Sequence, residues 1–431
     1  MPEPAASRRS FLKASAAASA AALAPLPMPP VHAAGSDTIK VGMIGSGGRC
    51  TGAAEQALST GPDVRLVAMC DIFEERVKGR LEVLKRSKKD QVVVNADHAF
   101  VGFDGYRKVI EASDVVLIAC ASKFHPYYAR AAIQAGKHVF VEKPHGIDPA
   151  GMRAMAEACE LARQKKLSLM SGLQWRHTPA VEETVKRIHD GAIGEIVTIE
   201  ENFLRGPYQL ERRKPGQDEL LYQFYNWYHF CWLSGDDVSQ SLVHNVDTAT
   251  WAMNGVAPVR CHGLAGRSAS FGEVYGDMFD HHSVVYQYAS GARMYANCRT
   301  QNKCHGEYSS LVWGTKGRAN LFGGTIEGET KWKYQGPGGN AYQIEHNRLF
   351  EAIRTGKPFN SGDYMVKSTT IGVMGQLACY TGQMVTWEQV EKSDFGFGPA
   401  WDAVKEGMEP PTKPGPDGNY PLPVPGKTRL I

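Results

Sequence analysis

The 431 residues carry 48 Lys and Arg against 45 Asp and Glu, a formal charge of +3, with 43% hydrophobic and 22% charged residues. That is the make-up of a globular chain with room for two cores, and no Lys/Arg run marks it for nucleic acid. Nine cysteines, an odd number without any Cys-x-x-Cys pair, read as buried small hydrophobes rather than a disulfide or metal framework.

Residues 1–33 read as an export signal. Ser7-Arg8-Arg9-Ser10-Phe11-Leu12-Lys13 fits the twin-arginine pattern, an Ala-rich apolar run follows from Ala14 to Leu26, and Val31-His32-Ala33 is suited to cleavage. The run is too short to span a bilayer, and Pro25, Pro27, Pro29 and Pro30 end it. The expectation is a periplasmic or otherwise exported protein without a membrane anchor.

From 38 to 170, short apolar runs alternate with helical patterns. Ile39–Ile44, Val64–Cys70, Val115–Ala119, His138–Val141 and Leu167–Met170 read as strands, with Tyr127–Ala135 and Met152–Gln164 among the helices between them. Such alternation predicts a parallel sheet covered on both faces, a Rossmann-type domain. The first strand runs into Gly45-Ser46-Gly47-Gly48-Arg49-Cys50. In that strand-to-glycine-to-helix setting Gly45 permits the turn, and Gly47 lets the backbone approach a pyrophosphate on a helix N-terminus. The third glycine of the strict pattern is Cys50. Asp71 ends the second strand, where a carboxylate can accept ribose hydroxyls or cap the next helix. No Arg follows at 72 or 73, so NAD is expected rather than NADP.

The pattern changes in 171–408. Ile196–Phe203, Val259–Gly266, His282–Tyr288, Ala292–Asn297, Tyr308–Trp313 and Ala319–Phe322 follow one another with short turns, predicting a mostly antiparallel open sheet. Ser239–Met253, Tyr342–Thr355 and Val366–Thr381 read as helices. The Pro- and Gly-rich stretch 409–431 is expected to be extended surface chain. The overall class is α/β followed by α+β.

The most specific stretch is Ala135-Gly136-Lys137-His138-Val139-Phe140-Val141-Glu142-Lys143-Pro144. It places a lysine at the carboxyl end of a Rossmann strand, where the crevice lies. This run resembles the Gfo/Idh/MocA oxidoreductases, whose hallmark is Glu-Lys-Pro, here Glu142, Lys143 and Pro144. The resemblance implies an NAD-dependent enzyme with Lys143 and His244 as catalytic groups. Gly45, Ser46, Gly47, Gly48, Arg49, Asp71, Ser122, His125, Glu142 and Lys143 are its cofactor contacts. The second signature, Asp-x-Gly-x-His-x-x-Asp, reads Gln240-Ser241-Leu242-Val243-His244-Asn245-Val246-Asp247, so the first Asp and the Gly are absent. The segment Trp227–Asp236 looks like an exported branch, near NAD-dependent glycosidases and glucose-fructose oxidoreductase.

The expected chemistry is hydride transfer from a secondary alcohol of a sugar or sugar derivative. His244 would take the hydroxyl proton and Lys143 would hydrogen-bond the same oxygen. Trp175, Arg176, Tyr228, His229 and Asp247 are the candidate substrate contacts, and Tyr222, Phe224, Tyr225, Trp227, Tyr228 and Trp232 a candidate sugar-stacking cluster. No metal is expected, and a homo-oligomer through the C-terminal sheet is. A cofactor carried out of the cytoplasm would have to be tightly held and recycled. A glycosidase using transient oxidation needs no carboxylate pair and stays open beside a dehydrogenase. A non-catalytic sugar-binding protein is a third reading.

Overall fold

The computed structural model describes residues 38–431; the proposed signal at 1–33 lies outside them. Six strands and five helices build the first half: β1 (Ile39–Ile44), α1 (Gly48–Leu58), β2 (Val64–Asp71), α2 (Glu74–Ser87), β3 (Ala99–Val101), α3 (Gly105–Ala112), β4 (Val115–Ile118), α4 (His125–Gln134), β5 (His138–Val141), α5 (Pro149–Gln164) and β6 (Leu169–Ser171). The six strands form one parallel sheet in the order β3-β2-β1-β4-β5-β6. Side chains alternate between its two faces. Val41, Met43, Leu66, Leu117 and Phe140 meet α1 on one face, while Ala68, Val116, Ile118 and Val139 meet α3 to α5 on the other. Strands buried on both faces must be apolar throughout, which is why these runs were legible.

The second half continues through α6 (Pro179–His189), β7 (Ile196–Arg205), α7 (Glu219–Tyr225), α8 (Cys231–Ser234), α9 (Asp236–Gln240) and α10 (Val243–Ala252). Strands β8 (Arg260–Gly266), β9 (His281–Gln287), β10 (Arg293–Thr300), β11 (Glu307–Gly314), β12 (Gly317–Asn320), β13 (Thr325–Gly328) and β14 (Trp332–Lys333) follow, then α11 (Ala341–Thr355), α12 (Gly362–Thr381), β15 (Val385–Thr386) and α13 (Trp387–Lys392). The nine strands form a second sheet, antiparallel except where β10 runs parallel to β7. One face packs on α10 and α12; on the other, Leu264 and Tyr295 are exposed.

Two features cross between the halves. Helix α11 returns to the Rossmann sheet, where Leu349, Phe350 and Ile353 join the core that α1 covers. The tail 409–431 has no helix or strand, as expected, but it is not merely surface chain. Tyr420 is 2% exposed and packs on Phe230, and its hydroxyl donates to Glu219 at 2.6 Å. All nine cysteines are unpaired, and seven of them are buried. Among the described residues, no helix is long and apolar enough to cross a membrane.

Candidate functional site

The glycine turn lies at the carboxyl end of β1. Gly45 sits at φ +91°, and a Cβ there would come within 2.6 Å of the Ala119 carbonyl, so only glycine fits. A Cβ on Gly47 or Gly48 would meet nothing within 4 Å. Helix α1 starts there with no side-chain cap, leaving first-turn N–H groups for an anion. This is a cradle that a dinucleotide pyrophosphate fits. Ser46 does not contribute a free donor: its N–H binds Asp71 Oδ2 at 2.7 Å and its hydroxyl binds the Cys70 carbonyl at 3.2 Å.

Asp71 stands at the rim of a cleft of about 640 Å³ beside the turn, walled by Ile72, Phe103, Tyr106 and Phe124. Its other oxygen accepts from Phe73 N at 3.1 Å. Burial pushes this carboxyl up, while the Ser46 N–H opposes that shift. Arg76, not considered from sequence, also reaches this cleft. Its guanidinium lies between the rings of Phe73 and Tyr225, 4.9 and 4.7 Å from their centroids, and donates to the Tyr225 carbonyl at 2.9 Å.

The roof of this cleft comes from the second half of the chain. Phe224 packs against Phe103 and Phe124, Trp227 lines the cleft, and Lys214 pairs with Glu75 at 2.6 Å. The aromatic cluster foreseen for sugar stacking therefore divides. Phe224, Tyr225 and Trp227 cover the dinucleotide side, Trp227 also reaching the second cleft, which Tyr228 faces as well. Tyr222 and Trp232 are buried in the core.

That second cleft, about 1110 Å³, opens beyond Gly47 and Gly48 and contains Arg49, His125, Glu142, Lys143 and His244. Glu142 is an architectural link. It pairs with Arg49 of α1 at 2.9 Å, accepts the Lys143 N–H at 3.1 Å, and lies so close to Gly172 that a Cβ there would come within 2.7 Å of its carboxyl carbon. His125 is held by the Pro144 carbonyl at 2.7 Å and faces the Cys120 carbonyl at 3.1 Å; burial pushes its ring down to about 4. A neutral ring has one proton, so only one of these contacts can be a hydrogen bond. Ser122 is buried behind the cleft, its hydroxyl 3.3 Å from Gln240 Oε1.

Lys143 Nζ donates to the Gln240 main-chain carbonyl at 2.9 Å. That acceptor exists because the helix expected over Ser239–Met253 breaks. His244 N bonds the Ser241 carbonyl instead of Gln240's, so the latter is free to turn to the lysine. His244 is 9% exposed and its Nδ1 has no partner in the protein. Burial holds its pKa well below the ordinary imidazole range, helped by Lys143 and by His145. His145 is itself fixed between Thr369 and Ser171, at 2.8 Å from each hydroxyl.

Four sequence candidates lie elsewhere. Arg176 and Asp247 grip one another, Nε to Oδ2 at 2.9 Å and Nη2 to Oδ1 at 2.8 Å. Ser368 completes the carboxylate at 2.7 Å, and Arg176 stacks on Tyr364 and Trp251. The two are committed to each other, and neither lines the cleft. His229 lines a separate smaller chamber. Trp175 stands behind the cleft wall, donating to the Tyr308 hydroxyl at 2.6 Å. The wall itself includes residues not foreseen as contacts: Gln174, Phe203, Tyr208, Tyr308 and Tyr342. They come one each from separate strands, turns and helices, so no local pattern marks them.

Residues 39–172 match the oxidoreductase family with an NAD-binding Rossmann fold, Gfo/Idh/MocA. A glycosyl hydrolase family 109 protein of Bacteroides fragilis (strain YCH46) is 30% identical over 135 residues, 31% of this chain and 28% of its own length. An inositol 2-dehydrogenase of Salmonella typhimurium is 23% identical over 219 residues, 50% of this chain and 55% of its own. The chain thus spans between about a quarter and about half of these relatives. The fold is shared with an aldose-aldose oxidoreductase of Caulobacter crescentus solved with glycerol, at TM-score 0.61 and 20% identity, over 81% of this chain and 99% of the other. The glycine cradle, Glu142-Lys143-Pro144 and the sequence match together place the NAD-binding Rossmann domain of this chain in the Gfo/Idh/MocA oxidoreductase family.

Proposed function

We propose that this chain oxidises a secondary alcohol of a sugar or sugar derivative with NAD, holding the cofactor tightly and recycling it. The observation that carries this reading is the convergence of Lys143 and His244, from the two halves of the chain, on one cleft beside the glycine cradle. Bound NAD⁺ supplies the hydride acceptor. His244, neutral and with Nδ1 unpartnered, takes the hydroxyl proton. The Lys143 ammonium, steadied by the Gln240 carbonyl, donates to the same oxygen and stabilises its growing negative charge. Phe203, Tyr208, Tyr228, Tyr308 and Tyr342 offer ring faces to sugar C–H groups and phenols to hydroxyls.

Tight holding is supported by the roof. The adenosine side of the groove is covered by Phe224 and Trp227, and α7 beneath them is tied to the tail by Gln223 on the Thr412 carbonyl at 2.8 Å. The twin-arginine pattern at Arg8-Arg9 goes with it: a protein exported folded can carry its cofactor to a place where free dinucleotide is scarce. Association through the open face of the nine-stranded sheet, where Leu264 and Tyr295 are exposed, belongs to the same proposal.

The enclosed cofactor also favours a second reading, a redox-neutral NAD-dependent glycosidase, in keeping with the named hydrolase relative. One experiment separates these. Mature protein purified without added cofactor is denatured for cofactor analysis, and native protein is incubated with a panel of glycosides analysed by mass spectrometry. Near-stoichiometric NAD(H) is expected in the denatured fraction. Oxidised sugar among the products supports the dehydrogenase, and cleaved glycoside without net oxidation the glycosidase. Empty protein that turns over only with excess free NAD⁺ sinks the recycling, and unchanged sugars throughout sink the function.

A further inference from the structure

One helix is broken where no helix-breaking residue stands. Between Asp236 and Ala252 there is neither glycine nor proline, yet α9 ends at Gln240 and α10 starts only at Val243. Such a break needs another cause, and a side chain that competes with the main chain is one. Ser241 supplies it. It sits at φ −115° and ψ −52°, away from the helical φ of about −63°, and it is fully buried. Its Oγ donates to Asp237 Oδ1 at 2.7 Å and accepts from Arg205 Nη2 at 2.8 Å. The same Nη2 donates to Asp237 Oδ1 at 2.6 Å, so the three groups close a triangle. Arg205 comes from the last position of β7. The ring of Tyr208, which lines the cleft of Lys143 and His244, covers its guanidinium, with Cζ 3.5 Å from the ring centroid.

The peptide unit between Gln240 and Ser241 shows what the triangle does. Its N–H donates to the Asp237 carbonyl at 2.9 Å, and the Leu242 N–H takes the same carbonyl at 3.0 Å. Its oxygen would go to the His244 N–H in a continuous helix. Instead it accepts from Lys143 Nζ at 2.9 Å, and the His244 N–H turns to the Ser241 carbonyl at 3.3 Å. A side chain that fixes this peptide plane therefore acts on Lys143 without touching a substrate.

We infer that Ser241, clamped by the Arg205–Asp237 ion pair, is a positioning residue for Lys143. The pair holds Ser241 Oγ, Ser241 holds the break open, and the break presents the Gln240 carbonyl to the lysine. The role rests on the reading of Lys143 as the group that steadies the reacting oxygen. A buried Arg–Asp pair can also serve the fold alone. In that case an alanine at 241 would leave Lys143 where it is. Alanine is the best helix former and has no Oγ to clamp, while the Arg205–Asp237 contact survives the change.

Crystal structures of the native and Ser241→Ala proteins, with steady-state kinetics of both, test this. In Ser241→Ala the Gln240 carbonyl is expected to swing to the His244 N–H, joining α9 to α10, and to leave the lysine. A carbonyl still on Lys143 in that variant overturns the inference. With the carbonyl gone, kcat should fall roughly 10-fold or more, the loss expected for a hydrogen bond to a charged group. KM for the sugar should stay within about twofold, as for a group that acts in the transition state. A displaced carbonyl with native kcat overturns the inference as well, because the lysine then needs no such hold. Arg205→Met should displace the carbonyl in the same way, and an unmoved carbonyl there overturns the part given to the ion pair. Should Arg205→Met not fold, Ser241→Ala decides. If the native protein turns over no sugar, the functional reading fails by itself, and the position of the carbonyl in the two structures still decides the clamp.

Discussion

His244 and Asp247 stand three residues apart on α10, yet they belong to different worlds. On the cleft side, Lys143 and His244 keep an open valence: the lysine is held by a single carbonyl, and the imidazole has a bare Nδ1. Less than one helical turn on, Asp247 is surrounded by Arg176 and Ser368, and Arg176 by two aromatic rings. The same kinds of side chain thus stand open to a ligand in one place and serve as mortar in the other. What separates them is whether their hydrogen-bonding capacity closes inside the protein.

The sharpest way to break this contrast is to remove one member of each kind. Lys143→Met and His244→Ala should each lower turnover by roughly 10²–10⁴ while the protein stays folded, as judged by circular dichroism. Full activity in His244→Ala would return the proton acceptor to another cleft residue, with Tyr228 next to test. Asp247→Ala should do the opposite. It leaves the Arg176 guanidinium buried without its partner, a change that costs about 3–5 kcal/mol of stability. Urea unfolding should show that loss, with the folded fraction still active. A stable but inactive Asp247→Ala would make Asp247 part of the chemistry after all.

A gentler test uses pH. Burial holds His125 and His229 at about 4, against about 6.5 for a free imidazole. As pH falls the unfolded chain therefore takes up protons first. Stability present above about pH 6.5 should be lost progressively down to about pH 4. The depressed His244 predicts, in the same direction, that the acid limb of kcat/KM lies below the usual histidine range. Thermal melts and rate profiles over that window check both, and an acid limb at or above pH 6.5 would remove His244 as the base.

How far all this was legible differs between the halves. The Rossmann strands could be read because each is apolar on both faces, and Gly45, Glu142 and Lys143 because they directly follow two of those strands. The break after Gln240 could not, since its residues suit a helix and only the contact with Lys143, 97 residues earlier, uses the freed carbonyl. Tyr308 and Tyr342 were equally hidden: each is one aromatic residue on its own element, brought to the cleft by the second sheet and by α11. Arg176 and Asp247 have the right chemistry for a site, but sequence does not show that they are each other's partners.

Tyr420 carries a further consequence, one of timing. Its hydroxyl meets Glu219 across 201 residues of chain, under the helix that carries Phe224 to the roof of the cleft beside the glycine turn. The walls of that cleft, from Ile44 to Tyr128, come from the first third of the chain. A contact of such long range forms late, because the loop must close before the contact can reward it. The groove is therefore finished in two stages. Its walls belong to the part of the chain made first, and its roof gains the Tyr420 contact only once that residue has been made.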